Sequence, residues 1–389
     1  MANGELMVVA GEASGDLHAA DVLAALRRRR PGLRAFGMGG PKLKAAGLER
    51  LFDAREISVM GIAEVWPRLP RIWRVFRSLV RAARERRPAA ALLVDVPDFN
   101  LRLARKLRGL GIPVVYYVSP TVWAWRRYRV RQIARNVDRM LCILPFEEEF
   151  YREHGVRARY VGNPVVEQVP PPGPPEGFRR ALGLDASRLT LALLPGSRAS
   201  ELHRVLPTMV ESAALLRSER PEIQIVVPVA PGLDRAAVER EFAAKGLRPV
   251  LVDGRAAEVV GAADVAVVAS GTATLETALM LRPMVVVYRM SAISWAIGRL
   301  LVKVAFVSLV NLLSRRRLVP ELLQGDLRPE AVAAEVRRLW APGDARSEQL
   351  AGLRAIRAQL GSGPTASRVA DEVLEVLEQH AKEPGAIAR

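Results

Sequence analysis

At 389 residues, half of them hydrophobic and a quarter charged, the chain is too long for one ordinary core and too apolar for disorder, so two domains of roughly 150 to 200 residues are expected. A formal charge of +17, from 58 Lys+Arg against 41 Asp+Glu, implies anionic partners: nucleic acid, a lipid surface or phosphorylated substrates. One cysteine, Cys142, inside the apolar run Met140–Leu144, excludes a disulfide framework and a thiolate cluster, and four scattered histidines argue against a zinc site. The first residues lack a basic leader, which argues against a signal peptide and for a cytoplasmic protein. Apolar runs fall short of the roughly 20 residues that span a bilayer; the nearest, Ile293 to Val310, is broken by Arg299 and Lys303.

Met7–Ala10 reads as a buried strand, followed by the small-residue loop Gly11–Asp16 and a helix from about Leu17 to Arg29. Ser14 and Gly15 in that loop are candidate substrate contacts, with Asp16 either a further contact or a helix cap. Between Val65 and Arg84 the pattern is that of a basic amphipathic helix. Val65, Leu69, Ile72, Trp73, Phe76, Leu79 and Val80 fall within an arc of about 120°, and arginines at 68, 71, 74, 77, 81 and 84 fill the rest. With Trp66 and Trp73 suited to a headgroup boundary, Val65, Trp66, Leu69, Ile72, Trp73 and Phe76 are read as membrane contacts. Packing on a sheet and nucleic-acid binding are the competing readings of the same helix.

The run Ala90–Asp95 is a buried strand ending in Asp95-Val-Pro-Asp-Phe-Asn100. Two carboxylates and an amide at the carboxyl end of a strand stand where open α/β sheets place ligands. Asp95 is expected to be a general base, whereas Asp98 is better placed to cap the next helix; Asp98 and Asn100 remain candidate substrate contacts. A strand at Pro113–Ser119 leads to Trp123 and Trp125, which read as an acyl or sugar site or as simple packing. The proline-rich stretch Asn163 to Gly177 is the expected domain boundary.

The second half repeats the alternation. Strand Leu189–Leu194 runs into Pro195-Gly-Ser-Arg198, which combines backbone donors at a helix start with a guanidinium suited to a pyrophosphate. From Asp264 to Arg289 the chain reads as strand, turn, helix and strand. Ser270, Gly271 and Thr272 form a phosphate-binding turn and Glu276 lies one helical turn on, placed to accept hydrogen bonds from a ribose. Small residues at an ordinary strand-to-helix turn are the plainer reading of that loop. Asn311 and Gln324 follow as uncharged polar groups able to read sugar hydroxyls or a base, and helices fill the chain from Pro329 to about Gln379.

Taken together, Gly11-Glu-Ala-Ser-Gly-Asp16, Asp95-Val-Pro-Asp-Phe-Asn100, Tyr117-Val-Ser-Pro-Thr-Val-Trp-Ala-Trp125, Leu194-Pro-Gly-Ser-Arg198, Ala269-Ser-Gly-Thr-Ala-Thr-Leu-Glu276, Val307-Ser-Leu-Val-Asn311 and Leu318-Val-Pro-Glu-Leu-Leu-Gln324 resemble the lipid-A-disaccharide synthase family, in order from about residue 6 to residue 325. The resemblance implies a GT-B glycosyltransferase: an α/β fold of two Rossmann-like domains with parallel sheets facing a central cleft. The expected ranges are 1–165 for the acceptor side, 178–345 for the nucleotide side, and 346–389 for helices crossing back. It implies inverting transfer of 2,3-diacylglucosamine from UDP to the 6-hydroxyl of 2,3-diacylglucosamine 1-phosphate (lipid X), giving a β-1,6 disaccharide 1-phosphate and UDP. Asp95 would be the base, and no metal or other cofactor would take part. Implied partners are UDP-2,3-diacylglucosamine, lipid X, UDP and the anionic inner face of the cytoplasmic membrane, with no nucleic acid; oligomeric state is left open. Val96 stands where the family has Ala and Val310 where it has Pro, and the basic clusters Arg126–Arg135 and Arg315–Arg317 match no family role. The alternatives are another UDP-sugar GT-B enzyme, such as the peptidoglycan GlcNAc transferase or a UDP-GlcNAc 2-epimerase, and a basic nucleic-acid- or membrane-binding scaffold.

Overall fold

The computed structural model describes residues 4–57, 62–302 and 304–382; within these, side chains at 62–68, 293, 294, 297, 300, 381 and 382 are left undescribed. The chain divides into two compact units. Unit 1 comprises the chain through Pro164 together with the segment from Gly363 onward, and unit 2 is Val165–Ser362.

In unit 1, strands β1 (Leu6–Ala10), β2 (Ala35–Gly39), β3 (Glu49–Asp53), β4 (Ala90–Val94), β5 (Val114–Tyr117), β6 (Arg139–Cys142) and β7 (Ala158–Tyr160) form one parallel sheet in the order β3-β2-β1-β4-β5-β6-β7. Helices α1 (Ala13–Arg29), α2 (Pro41–Ala45), α3 (Ile62–Arg86), α4 (Pro97–Arg108), α5 (Arg129–Asn136) and α6 (Pro145–Glu153) connect them. β1 and β4 are wholly buried apolar runs, as a parallel sheet covered on both faces requires. One face carries Met7, Val9, Leu93, Val75 and Leu79; the other carries Leu6, Val8, Leu92 and Leu23.

Unit 2 begins with the short α7 (Val165–Gln168) and α8 (Pro175–Ala181). Its sheet, ordered β10-β9-β8-β11-β12-β13, is built from β8 (Thr190–Leu194), β9 (Gln224–Val229), β10 (Val250–Asp253), β11 (Val265–Ala269), β12 (Met284–Tyr288) and β13 (Glu321–Leu323). Its further helices are α9 (Ala199–Glu219), α10 (Arg235–Ala243), α11 (Ala256–Ala262), α12 (Thr272–Leu279), α13 (Ala292–Leu301), α14 (Leu309–Ser314), α15 (Pro329–Trp340) and α16 (Asp344–Leu360).

Both sheets have the Rossmann-like order in which the chain leaves the first strand in one direction and returns to its other side. That reversal opens a crevice at the carboxyl ends of β1 and β4 in one unit and of β8 and β11 in the other. The chain passes from unit 1 to unit 2 at Pro164, inside the proline-rich stretch, whereas α16 packs against α12, α14 and α15 within unit 2. The return to unit 1 is made by α17 (Thr365–Lys382) alone, which lies on α1 and the strands β4 to β6.

Of the six side chains read as membrane contacts, Val65 and Trp66 lie outside the described side chains, Leu69 is half-buried, and Trp73 is exposed. Ile72 and Phe76 are corrections to the lipid-facing reading. Both pack against the unit 1 core, Phe76 edge-on to Phe99 at 5.6 Å between centroids, beneath the buried row Val75, Leu79 and Ala83. The stripe was genuine, but the sheet takes most of it. No helix among the described residues is long and apolar enough to cross a membrane.

Candidate functional site

At the unit 1 switch point, β1 and β4 run in register from Leu6↔Ala90 to Ala10↔Val94, which sets the loop Gly11–Asp16 beside the loop Asp95–Asn100. Asp95 and Val96 both adopt left-handed backbone, at φ 54 and 44. For a β-branched residue this is strained, and two in succession need outside support. The support comes from the Tyr116 hydroxyl, which donates to the Asp95 carbonyl at 2.6 Å, and from the Asn100 amide, which donates to the carbonyls of Val94 and Asp95 at 3.1 and 2.8 Å. Asn100 is almost wholly buried, so its amide is a brace for the Asp95 turn rather than the substrate contact expected of it.

The Asp95 carboxyl is raised above the usual range, first by burial and then by the charge of Glu12 across the two loops; the N–H of Val96 works the other way. A carboxylate so placed is a competent proton acceptor once ionised. Asp98, three residues on, is exposed and does not cap α4. It pairs instead with Arg129 and, at 3.3 Å, with Arg126, which neutralises part of the basic cluster that no motif explained. Ser14 is exposed on the neighbouring loop, whereas Gly15 is buried against β1 and β4 and is withdrawn as a place of substrate approach. Asp16 is committed to structure: its carboxylate accepts from the N–H groups of Gly40, Lys42 and Leu43 at 2.7, 3.0 and 3.1 Å and caps α2 rather than its own helix.

Trp123 donates from Nε1 to Glu147 at 2.9 Å, and burial pushes that carboxyl up to about 7. Glu147 also accepts from the Leu144 N–H at 3.1 Å. Trp125 is different, since its ring is over a third exposed with the Arg126 guanidinium 4.0 Å above it.

Unit 2 holds a cavity of about 410 Å³ at its own switch point, within the roughly 300–1,000 Å³ typical of small-ligand sites. Arg198, Ser270, Gly271, Thr272 and Glu276 all line it. The first turn of α12 brings its leading N–H groups, which have no acceptor within the helix, and a Cβ added at Gly271 would meet nothing within 4 Å. An anion can therefore approach the backbone closely. At the other loop, Gly196 has φ 110, and a Cβ there would come within 2.5 Å of the Glu201 carboxylate. That carboxylate accepts from the Ser197 and Arg198 N–H groups at 3.2 and 3.4 Å, so the donors expected to meet phosphate at this loop are already capped. The Arg198 guanidinium is mostly exposed, 3.3 Å from Glu201. Glu276, half-buried and with no ion-pair partner among the described residues, has its carboxyl raised by burial.

Asn311 and Gln324 do not line this cavity. Asn311 is fully buried; its amide donates to the Val319 carbonyl at 2.9 Å and Glu321 at 2.8 Å, and its oxygen accepts from the Val319 N–H at 2.9 Å, so it fastens α14 to β13. Gln324, left-handed at φ 49, accepts from the Met290 N–H at 3.3 Å, and its carbonyl accepts from Arg289 at 3.2 Å. Tyr288 and the Pro228–Pro231 turn line the cavity without having been anticipated. Both stand at carboxyl ends of strands flanking the switch point, a signal that was present in the sequence.

A family profile described as "Lipid-A-disaccharide synthetase" matches residues 6–369. The lipid-A-disaccharide synthase of Myxococcus xanthus is 63% identical over 372 residues, covering 96% of this chain and 97% of that one. Among solved structures, the calicheamicin glycosyltransferase CalG4 superposes with TM-score 0.61 at 16% identity, covering 98% of this chain and 100% of its own. Anabaena HepE in complex with UDP and glucose superposes with TM-score 0.53 at 14% identity over 97% and 100%. At those identities the two structures establish the fold, which is GT-B.

Proposed function

This chain belongs to the lipid-A-disaccharide synthase family and is a glycosyltransferase of lipid A biosynthesis, and from that premise we propose the reaction in detail. It transfers 2,3-diacylglucosamine from UDP to the 6-hydroxyl of 2,3-diacylglucosamine 1-phosphate, with inversion, releasing UDP. The observation that carries this is the gathering of Arg198, Ser270, Gly271, Thr272 and Glu276 around one cavity of unit 2, beside the leading N–H groups of α12. The pyrophosphate meets the α12 N-terminus and the exposed Arg198 guanidinium, and Glu276 accepts from ribose hydroxyls. HepE, bound to UDP in its own structure, supports a uridine nucleotide as occupant of this fold.

Asp95 of unit 1 takes the proton from the acceptor hydroxyl. Its burial raises the basicity of the carboxylate, which suits a base that must act near neutral pH. Inversion needs one displacement from the face opposite the leaving group, so one base is enough. Charge growing on the departing diphosphate is met by fixed amides and Arg198, which leaves no step that calls for a cation. The acyl chains of both substrates partition into a bilayer, and the exposed arginines and Trp73 of α3 are proposed to hold the enzyme on the anionic cytoplasmic face of the membrane.

The direct test is to incubate the protein with UDP-2,3-diacylglucosamine and lipid X in detergent and follow disaccharide 1-phosphate and UDP; neither product appearing sinks the proposal. Asp95→Asn is expected to keep UDP affinity while lowering turnover by at least 10²- to 10⁴-fold. Substantial residual turnover would move the base elsewhere. Full activity is expected to survive saturating EDTA.

A further inference from the structure

The residues from Pro97 to Arg135 include arginine or lysine at 102, 105, 106, 108, 126, 127, 129, 131 and 135 and a single acid, Asp98. The structure gives this charge a shape. On α5, Val130 and Ile133 turn inward to the core, while Tyr128, Arg131 and Arg135, at i, i+3 and i+7, share the outward face. Arg102 and Arg105 are exposed on α4, which packs between α3 and α5. Arg71, Arg74, Arg77, Arg81 and Arg84 are exposed on α3. The basic surface therefore runs across three neighbouring helices.

Aromatic exposure follows the same track. Among the described residues the large aromatic side chains that stand exposed are Trp73 at 50%, Trp125 at 36% and Tyr128 at 71%. Trp73 is on α3 and the other two lead into α5. Each tryptophan has an arginine over it, Arg77 at 6.0 Å from Trp73 and Arg126 at 4.0 Å from Trp125. A ring held beside a cation, half in water, is matched to the boundary between acyl chains and headgroups. Duplex nucleic acid would account for the arginines but not for three aromatics standing out among them.

We infer that the segment Trp125–Arg135 is a second docking surface for an anionic bilayer, continuous with the α3 surface across α4. The inference rests on the proposed membrane reading for the nature of the partner but not for the residues. Arg126 and Arg129 also tie this surface to Asp98, three residues from Asp95, so docking here fixes the membrane plane relative to the proposed base. A lipid acceptor would then be delivered beside the β4 loop.

The test is flotation with vesicles of phosphatidylglycerol and phosphatidylcholine, using the full chain and two variant sets. Tyr128→Ser/Arg131→Gln/Arg135→Gln removes one face of α5, and Trp73→Ser/Arg74→Gln/Arg77→Gln removes the α3 counterpart; unchanged thermal unfolding confirms that each folds. Loss of two charges is expected to weaken partitioning about thirtyfold at low salt, on top of any loss at Tyr128, with the difference shrinking in about 0.5 M salt. Arg131→Lys/Arg135→Lys should bind within about threefold of the parent, because a bilayer reads charge rather than guanidinium geometry. If the α5 set floats like the parent while the α3 set is released, the inference falls and the α3 reading stands. If the α3 set floats like the parent and the α5 set does not, docking at Trp125–Arg135 stands while the α3 reading, and the continuity with it, falls. Unaltered vesicle binding with lost affinity for duplex DNA would overturn the lipid assignment.

Discussion

Asp95 is held in place by its neighbours against its own conformational preference, since Tyr116 and Asn100 brace a left-handed turn that Asp95 and Val96 would leave unaided. Its ionisation is governed in the same way. Burial and the Glu12 charge both disfavour the anion, so the proposed base is ionised only above the usual carboxylate range, and activity is expected to fall as pH drops through that raised value. Glu12→Gln removes the like charge and is expected to move the acid limb of kcat/KM to lower pH; a limb that stays in place would discount Glu12. Glu147 gives a stability signal instead. Its carboxyl, ordinarily near 4.5, is raised to about 7, so folding takes up a proton between those values and stability is lost as pH rises through that window. Between pH 5 and 8, Glu147→Gln should gain on the parent by roughly 2 kcal/mol, read from denaturant unfolding at each pH. Asp95, Arg198 and Glu276 were legible as strand-end and helix-start residues. Asn311, Asn100 and Asp16 were misread because a polar side chain in sequence does not reveal whether a backbone group elsewhere already satisfies it.

Helix α3 shows what periodicity leaves open. An apolar stripe states that one face is covered, but a protein core and a bilayer demand the same spacing, and here Val75, Phe76 and Leu79 pack into the unit 1 core, Phe76 against Phe99 of α4. Two neighbours on this helix should therefore behave differently. Phe76→Ala is expected to cost about 2 kcal/mol in thermal or denaturant unfolding, less than the full-burial range because the ring is only half-covered. Trp73→Ser, at a ring half exposed and edge-on to Phe76 at 5.7 Å, should cost about 1 kcal/mol or less. Equal losses at both positions would contradict the orientation of the helix. The strands, by contrast, were readable nearly residue by residue, because parallel strands buried on both faces appear as short unbroken apolar runs such as Leu92-Leu-Val and Val265-Ala-Val-Val.

For the molecule as a whole, the chain leaves unit 1 inside the proline-rich stretch and returns to it at the Gly361–Pro364 break, while α16, expected among the helices crossing back, stays with unit 2 because its apolar face is covered there. Only α17 joins unit 1, where Val369, Ala370, Val373, Val376 and Leu377 are buried against α1 and the sheet. Covering those side chains contributes roughly 6–10 kcal/mol by area, comparable with the whole stability of a domain. A chain stopped after Ser362 should thus retain a protease-resistant unit 2 while unit 1 is digested; protection of both would show that α17 is dispensable. The order of synthesis adds a constraint. When a ribosome has finished everything up to Ser362, unit 2 has all its own residues and can close, yet unit 1, begun first, still lacks the helix that seals one side of its sheet. Of the two units, the one begun first is the last that can be completed, and a folding helper that shields the α1 side of that sheet would matter most during the interval.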